Sequence, residues 1–172
     1  MVTAAPDPRR ARGLRARWIP FGQRGHGFTV IELMLAAAIV AVIVAIAVPS
    51  YANYQERVRV AQAVTDIKAM DVQLQHYQND NREYPDDLGA IGMAGKLDPW
   101  GNPYQYTNLA NIKGKGQARK DKNLVPINSD FDLWSMGKDG QSSPPLTAKP
   151  SRDDIVRAGD GRLVGLASDF DP

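Results

Sequence analysis

The sequence predicts an α+β fold in which one long amino-terminal helix packs on a small antiparallel β-sheet that is followed by a carboxy-terminal loop. Three observations predict it. An apolar run covers residues 28–48, apolar side chains then recur at helical spacing up to Tyr77, and short clusters of β-forming residues appear only after Pro103. A chain with one helical region followed by strands is typical of the α+β class.

The first predicted element is a membrane-spanning helix at residues 28–48. The run is apolar except for Thr29 and Glu32, and at ~1.5 Å rise per residue it is about long enough to cross a bilayer. Glu32 stands out because hydrocarbon cannot solvate a carboxylate. Six arginines precede the run, and basic residues hold that end of an apolar helix in the cytoplasm. They are Arg9, Arg10, Arg12, Arg15, Arg17 and Arg24.

The second element, at residues 49–80, is predicted to continue the helix in amphipathic form. Its apolar side chains step by three or four residues and therefore lie on one face, which we expect to be core. These residues are Val60, Val64, Ile67, Met70, Leu74 and Tyr77. The polar triplet 79–81 followed by Tyr84-Pro85 marks the end of the helix.

A globular domain is predicted for residues 81–172. Tyr104–Tyr106 and Phe131–Met136 contain clustered or alternating β-formers and predict two strands, and Leu163–Leu166 predicts a short third. Otherwise the chain shows little regular pattern after Gly137. The basic, glycine-containing segment 113–117 is predicted to be a solvated loop tip.

Charge and cysteine content narrow the function classes. The chain has 21 Lys and Arg against 19 Asp and Glu, but residues 1–27 hold six Arg and one Asp, which leaves 15 basic and 18 acidic residues. The apparent basicity therefore belongs to the amino-terminal segment and predicts no nucleic-acid partner. The chain has no cysteine, so disulfides cannot stabilise it and packing or a metal must do so.

The segment Gly27-Phe28-Thr29-Val30-Ile31-Glu32 resembles the class III signal of type IV pilins and type II secretion pseudopilins. The resemblance implies that a prepilin peptidase removes the leader, residues 1–27, by cutting after Gly27, and then methylates the new amino terminus of Phe28. It also implies that Glu32 acts in filament assembly together with that terminus. Pro49 falls where these families commonly bend the helix. A conventional signal peptide cut after Ala47 is the alternative, but it leaves Glu32 unexplained.

A second motif, Asp98-Pro99-Trp100-Gly101-Asn102-Pro103-Tyr104, is a double turn whose aromatic residues can pack back on the helix. It resembles a signature of the major pseudopilin of type II secretion. The family resemblance and the physical interpretation of this segment agree, because both describe a turn with a structural role.

A third motif runs from Asp132 to Gly140 and is followed by Arg152-Asp153-Asp154-Ile155. Its resemblance to the major pseudopilins implies a calcium ion, Ca2+, held by Asp139, Asp153, Asp154 and the backbone carbonyl of Met136, since calcium prefers hard oxygen ligands. Residues 141–150 depart from the acidic, glycine-rich loop of that family. Arg152 is the alternative partner for these aspartates. The spacing does not fit an EF-hand.

No catalytic constellation emerges from the sequence, so no enzyme is predicted. The resemblance implies a homopolymeric subunit of the periplasmic pseudopilus, anchored in the inner membrane and working with an assembly platform and minor pseudopilins. A type IV pilus or competence pilin and a monomeric membrane-anchored enzyme or binding module are the alternatives. Residues 156–172 extend past the pattern that carries the resemblance.

Overall fold

The computed structural model describes residues 27–114 and 116–170. The predicted leader, apart from Gly27, lies outside the described residues. The chain divides into two compact units, residues 1–43 and 44–172, and every strand of the described residues lies in the second.

The first element is helix α1, Val30–Asn81, which begins and ends within two residues of the predicted bounds. It is long and apolar enough, by length and composition, to cross a membrane, and its apolar side chains up to Val48 are exposed. Pro49 lies inside the helix without ending it, although proline cannot donate a backbone hydrogen bond. The hydroxyl of Ser50 donates to the carbonyl of Ile46 at 2.9 Å in the same turn.

The amphipathic part of α1 buries the predicted stripe. Ile67, Met70 and Leu74 are fully buried, and Val60, Val64 and Tyr77 are partly buried. The sequence analysis overlooked Ala63, which is fully buried at the same helical spacing. Ala63 is therefore part of the core stripe, while Val64 is only partly buried.

The sheet is a four-stranded antiparallel meander with the strands in chain order. Its strands are β1 (Gln105–Asn108), β2 (Phe131–Ser135), β3 (Ile155–Ala158) and β4 (Leu163–Leu166). Short 3-10 helices occupy Leu88–Ile91, Lys149–Ser151 and Ala167–Asp169. The predicted α+β class is therefore confirmed, and so are strands β1, β2 and β4.

Strand β3 is a correction to the sequence analysis, which left this segment without structure. All four of its residues are buried, so the polar and apolar alternation that marks a half-exposed strand is absent. Arg157 also interrupts what would otherwise be an apolar run. The segment becomes a strand because it pairs on both sides, with β2 and β4.

The core lies between α1 and the sheet. The stripe of α1 packs with Leu88, Tyr104, Phe131, Leu133 and Ile155 in one cluster, and Phe131 contacts the rings of Tyr84 and Tyr106. A second, smaller cluster packs around Val156 and Ala158. Two apolar clusters give a chain of this size its main stabilisation without disulfides.

The turn around Asp98 packs against the helix as predicted. One Asp98 carboxylate oxygen accepts the backbone N–H groups of Trp100 and Asn102, at 3.0 and 2.8 Å, which closes the double turn. The indole N–H of Trp100 donates to Glu56 at 3.0 Å, and the Tyr104 hydroxyl donates to Asp66 at 3.0 Å. Both acceptors lie on α1, so this turn fastens the helix to the start of the sheet.

Arg157 forms a second connection between the helix and the sheet. Its side chain is 1% exposed, and its Nε donates to Asp71 of α1 at 2.7 Å. Its two terminal nitrogens donate to both carboxylate oxygens of Asp130, at 2.8 and 2.7 Å, and the guanidinium lies 4.0 Å from the ring centroid of Phe131. Despite its burial, these carboxylates hold the pKa of Arg157 above its usual value.

Candidate processing and assembly site

The residues predicted to direct processing lie at the start of α1. Gly27 and Phe28 are exposed and precede the helix, and apart from its chain neighbours no described residue has an atom within 4 Å of where a side chain on Gly27 would begin. A peptidase could therefore reach the bond between Gly27 and Phe28 without unfolding any part of the described structure. Cleavage itself stays a prediction.

Thr29 and Glu32 form a reciprocal cap on the first turn of α1. The Glu32 carboxylate oxygen Oε2 accepts the backbone N–H and the hydroxyl of Thr29, each at 2.8 Å. In return, the Thr29 hydroxyl oxygen accepts the backbone N–H of Glu32 at 3.2 Å. This is a capping box, which satisfies backbone donors that a helix start leaves without partners.

The cap uses only one oxygen of the Glu32 carboxylate. Within residues 27–114 and 116–170, Oε1 makes no hydrogen bond, so it remains available to a cation from outside the chain. Glu32 was predicted to act in assembly, whereas the capping role of Thr29 was not predicted from the sequence. The signal was present, because a threonine three residues before a glutamate at the start of an apolar run is the capping-box pattern.

The predicted calcium ligands lie at the end of β2 and just before β3. Asp153 accepts the backbone N–H groups of Lys138 and Asp139, at 3.0 and 3.1 Å. Asp139 is exposed and accepts the backbone N–H of Gln141 at 2.8 Å, while Met136 is partly buried one residue past β2. The Asp153 carboxylate thus lies against the backbone of Lys138 and Asp139, where it caps the turn.

Asp154 is turned instead toward Arg119. It is fully buried, and its Oδ2 accepts Nη2 of Arg119 and the hydroxyl of Ser142, both at 2.6 Å. Burial raises the pKa of Asp154, although Ser142 and Arg119 oppose that shift, and burial lowers the pKa of Arg119. Arg152, the alternative partner named from the sequence, is exposed and makes no ion pair in the part of the chain that the structure describes. That expectation was wrong, because the partner comes from a distant segment.

The structure divides the predicted calcium ligands, because Asp153 caps the turn at Asp139 whereas Asp154 pairs with Arg119. Calcium takes six to eight oxygen ligands, and the described residues contain no group of three or more carboxylate, imidazole or thiol side chains close enough to hold a metal. Within the described residues, the buried Oδ1 of Asp154 has no hydrogen-bond partner. It would offer a metal ion a single ligand, beside the guanidinium of Arg119. Calcium binding therefore stays a sequence prediction.

Gly137 joins the end of β2 to this cluster, and its substitution is expected to be costly. Its φ is 62°, and a Cβ would clash with the backbone carbonyl oxygen of Asp153. We expect Gly137→Ala to lower the free energy of unfolding by roughly 2–4 kcal/mol through backbone strain and overpacking. Thermal or urea unfolding of the protein in detergent micelles measures it.

Gly92 supplies the matched control for that substitution. Its φ is 74°, but a Cβ there would meet nothing within 4 Å. Gly92→Ala should therefore lower the free energy of unfolding only by the backbone term, about 1 kcal/mol. Equal losses for the two variants would contradict the close approach of Gly137 to Asp153.

Comparison with known proteins agrees with this arrangement. Residues 23–48 match the family model described as the prokaryotic N-terminal methylation motif, which includes Gly27, Phe28 and Glu32. The chain is 31% identical to the type II secretion system core protein G of Pseudomonas aeruginosa over 137 residues, which cover 67% of this chain and 84% of that protein. It is 28% identical to core protein G of Aeromonas hydrophila over 141 residues, covering 70% and 87%.

Type IV pilins are also similar to this chain, and the type IV major pilin protein PilE of Neisseria gonorrhoeae is 27% identical over 141 residues, which cover 77% of this chain and 81% of that protein. The type IV major pilin protein PilA of Myxococcus xanthus is 35% identical over 86 residues, which cover 50% of this chain and 38% of that protein. No solved structure matches the chain. The proteins that match are structural subunits and not enzymes, and the same holds for this protein. A match to most of core protein G, together with the methylation motif, places this chain in the type II secretion system core protein G family of pilin-like pseudopilins.

Proposed function

We propose that this protein is the structural subunit that polymerises through the first part of α1 into the periplasmic pseudopilus of a type II secretion system, where filament growth drives protein export. The observation that carries the proposal is the capped Glu32 at the start of an exposed apolar helix within the methylation motif. An apolar surface this long needs a membrane or neighbouring copies to cover it.

The charge distribution supports a membrane orientation. The six arginines of the leader favour a cytoplasmic amino terminus, and the domain that follows α1 then lies in the periplasm. In this arrangement the cleavage site lies at the cytoplasmic face of the membrane, within reach of a prepilin peptidase. An inner-membrane assembly platform and minor pseudopilins are the further partners we propose.

The first test is processing. The mature protein is expected to begin at N-methyl-Phe28, because removal of residues 1–27 creates the ammonium that assembly needs. Intact-mass measurement of the membrane-extracted protein checks this directly. Gly27→Trp should leave the precursor uncut, since a large side chain then occupies the open position before the cleaved bond. Retention of residues 1–27 or cleavage after Ala47 would refute the processing assignment.

The second test separates the two filament classes that the relatives represent. Deletion of the gene in its own host should leave exported enzymes inside the cell envelope, while twitching motility and DNA uptake continue. The opposite pattern would assign the protein to a type IV pilus or competence filament, which the similarity to type IV pilins keeps as the second candidate. If the protein acts as a monomer, its deletion should leave protein export, twitching motility and DNA uptake unchanged.

A further inference from the structure

The C-terminal loop, defined as residues 138–153 between β2 and β3, is fixed by contacts within the protein. Asp153 caps the backbone at its start, as described above, and the Ser151 hydroxyl bridges the N–H and carbonyl of Ser143 at 2.8 and 2.7 Å. The backbone of Lys120 pairs with Pro144 and Leu146, at 3.0 and 2.8 Å. The start and the end of the loop are thus bonded to each other, and its middle is bonded to the segment that contains Lys120.

Arg119 lies at the centre of these contacts. Its side chain is 3% exposed, and Nη1 donates to the hydroxyl of Ser142 at 2.6 Å and to the carbonyl of Ser143 at 2.8 Å. Nη2 donates to Asp154, and the guanidinium lies 5.0 Å from the ring centroid of Trp134 on β2. One cation therefore connects Ser142 and Ser143 of the loop to Asp154, the residue that follows the loop and precedes β3.

The backbone of Arg119 is fixed as firmly as its side chain. Its N–H donates to the carboxylate of Asp132 at 2.7 Å, and its carbonyl accepts the N–H of Ile127 at 3.0 Å. Asp132 is in turn held by the amide of Asn128 at 2.9 Å. These backbone hydrogen bonds therefore hold the guanidinium of Arg119 in position beside the loop.

The acceptors around this guanidinium are a hydroxyl, a backbone carbonyl and a carboxylate, which are the oxygen donors that suit a hard cation. Arginine supplies a permanent charge and several donors in a fixed planar arrangement, so it can bind such a set without a metal. A divalent ion at Asp154 would lie close to this buried positive charge and would be repelled by it.

We propose that Arg119 is the resident cation of the C-terminal loop, so that the loop is ordered by a guanidinium and needs no divalent metal. The inference is independent of the filament function. It assigns to an internal side chain the role that the family resemblance gives to calcium. It also predicts that chelators leave the folded domain intact.

The test uses the mature protein in detergent micelles. Its unfolding is followed by the fluorescence of its two tryptophans, Trp100 and Trp134, in calcium and in chelator. We expect the same midpoint in both solutions and no heat of calcium binding in calorimetry. Arg119→Gln should lower the midpoint by at least about 10 °C, since it leaves a buried carboxylate unpaired. Arg152→Gln removes the same charge from the neighbouring exposed arginine and should leave the midpoint unchanged.

A double-mutant cycle keeps the test decisive. If Arg119 and Asp154 act as a pair, adding Asp154→Asn to Arg119→Gln should lower the midpoint much less than the sum of the single changes. Arg119→Lys, which retains the charge, serves where Arg119→Gln does not fold. A midpoint that rises with calcium and loses that rise in Asp154→Asn would overturn the proposal. Additive effects of the two changes would overturn it as well.

Discussion

Replacing Glu32 with alanine is expected to abolish filaments while removal of residues 1–27 continues. We propose that in the filament the Phe28 ammonium of one subunit pairs with Glu32 of its neighbour, through the oxygen Oε1 that the cap does not use. Removing one partner of a buried ion pair costs about 3–5 kcal/mol, and the loss recurs at every subunit contact. Filaments sheared from cells and imaged by electron microscopy give the result, and an immunoblot of precursor and mature forms gives the processing.

The controls separate the charge from the cap. Glu32→Gln keeps the size of the side chain and loses the charge, so it should also fail to assemble. Thr29→Ala keeps the carboxylate and loses about 1 kcal/mol of helix capping, so filaments should persist in reduced number. Wild-type filament yield from Glu32→Ala would rule out the ion pair. Complete loss in Thr29→Ala with normal filaments in Glu32→Gln would assign assembly to the cap alone.

The largest loss of stability is expected from Arg157→Ala. The change leaves the carboxylates of Asp71 and Asp130 beside each other without their cation, and it removes the contact with Phe131. Breaking a buried charge cluster of this kind costs about 3–5 kcal/mol of unfolding free energy. Urea unfolding of the mature protein in micelles measures the change.

Arg162 offers the matched control, because it is an exposed arginine in the turn that leads from β3 to β4. Arg162→Ala should change the unfolding free energy by no more than about 0.5 kcal/mol. Adding Asp130→Asn to Arg157→Ala should restore part of the loss, since it removes one unpaired charge. If the two alanine variants unfold at the same urea concentration, the buried cluster does not stabilise the fold as described.

The helix could be predicted because its signals are local. Three-residue and four-residue spacing places Ile67, Met70 and Leu74 on one face whatever lies opposite, and a polar triplet marks its end. Strand β3 could not be predicted in this way, because it is buried on both faces and its pattern carries no period. Its identity as a strand depends on β2 and β4, which are its partners in space.

The candidate sites also differ in whether their residues are close together in the sequence. Gly27, Phe28 and Glu32 lie within six residues of one another, so a motif can specify them. The Arg119–Asp154 pair joins residues that are 35 positions apart, and Arg157 and Asp71 are 86 apart. No spacing rule relates residues that are so far apart. The sequence alone therefore suggested Arg152, the nearest arginine in the chain, as the alternative partner of the aspartates.

The chain-order meander also determines when each part of the domain can form. Each strand pairs with the next one along the chain, so the sheet can grow from β1 to β4 in the order of synthesis, but residues 109–130 and 136–154 must be made before β2 and β3 can join it. The contact between Asp71 and Arg157 must wait until β3 exists, long after α1 has been made. Until β2 and β3 arrive, the apolar face of Ile67, Met70 and Leu74 is exposed to every neighbouring chain. This subunit is therefore most prone to aggregation while the carboxy-terminal third of the chain has not yet been synthesised.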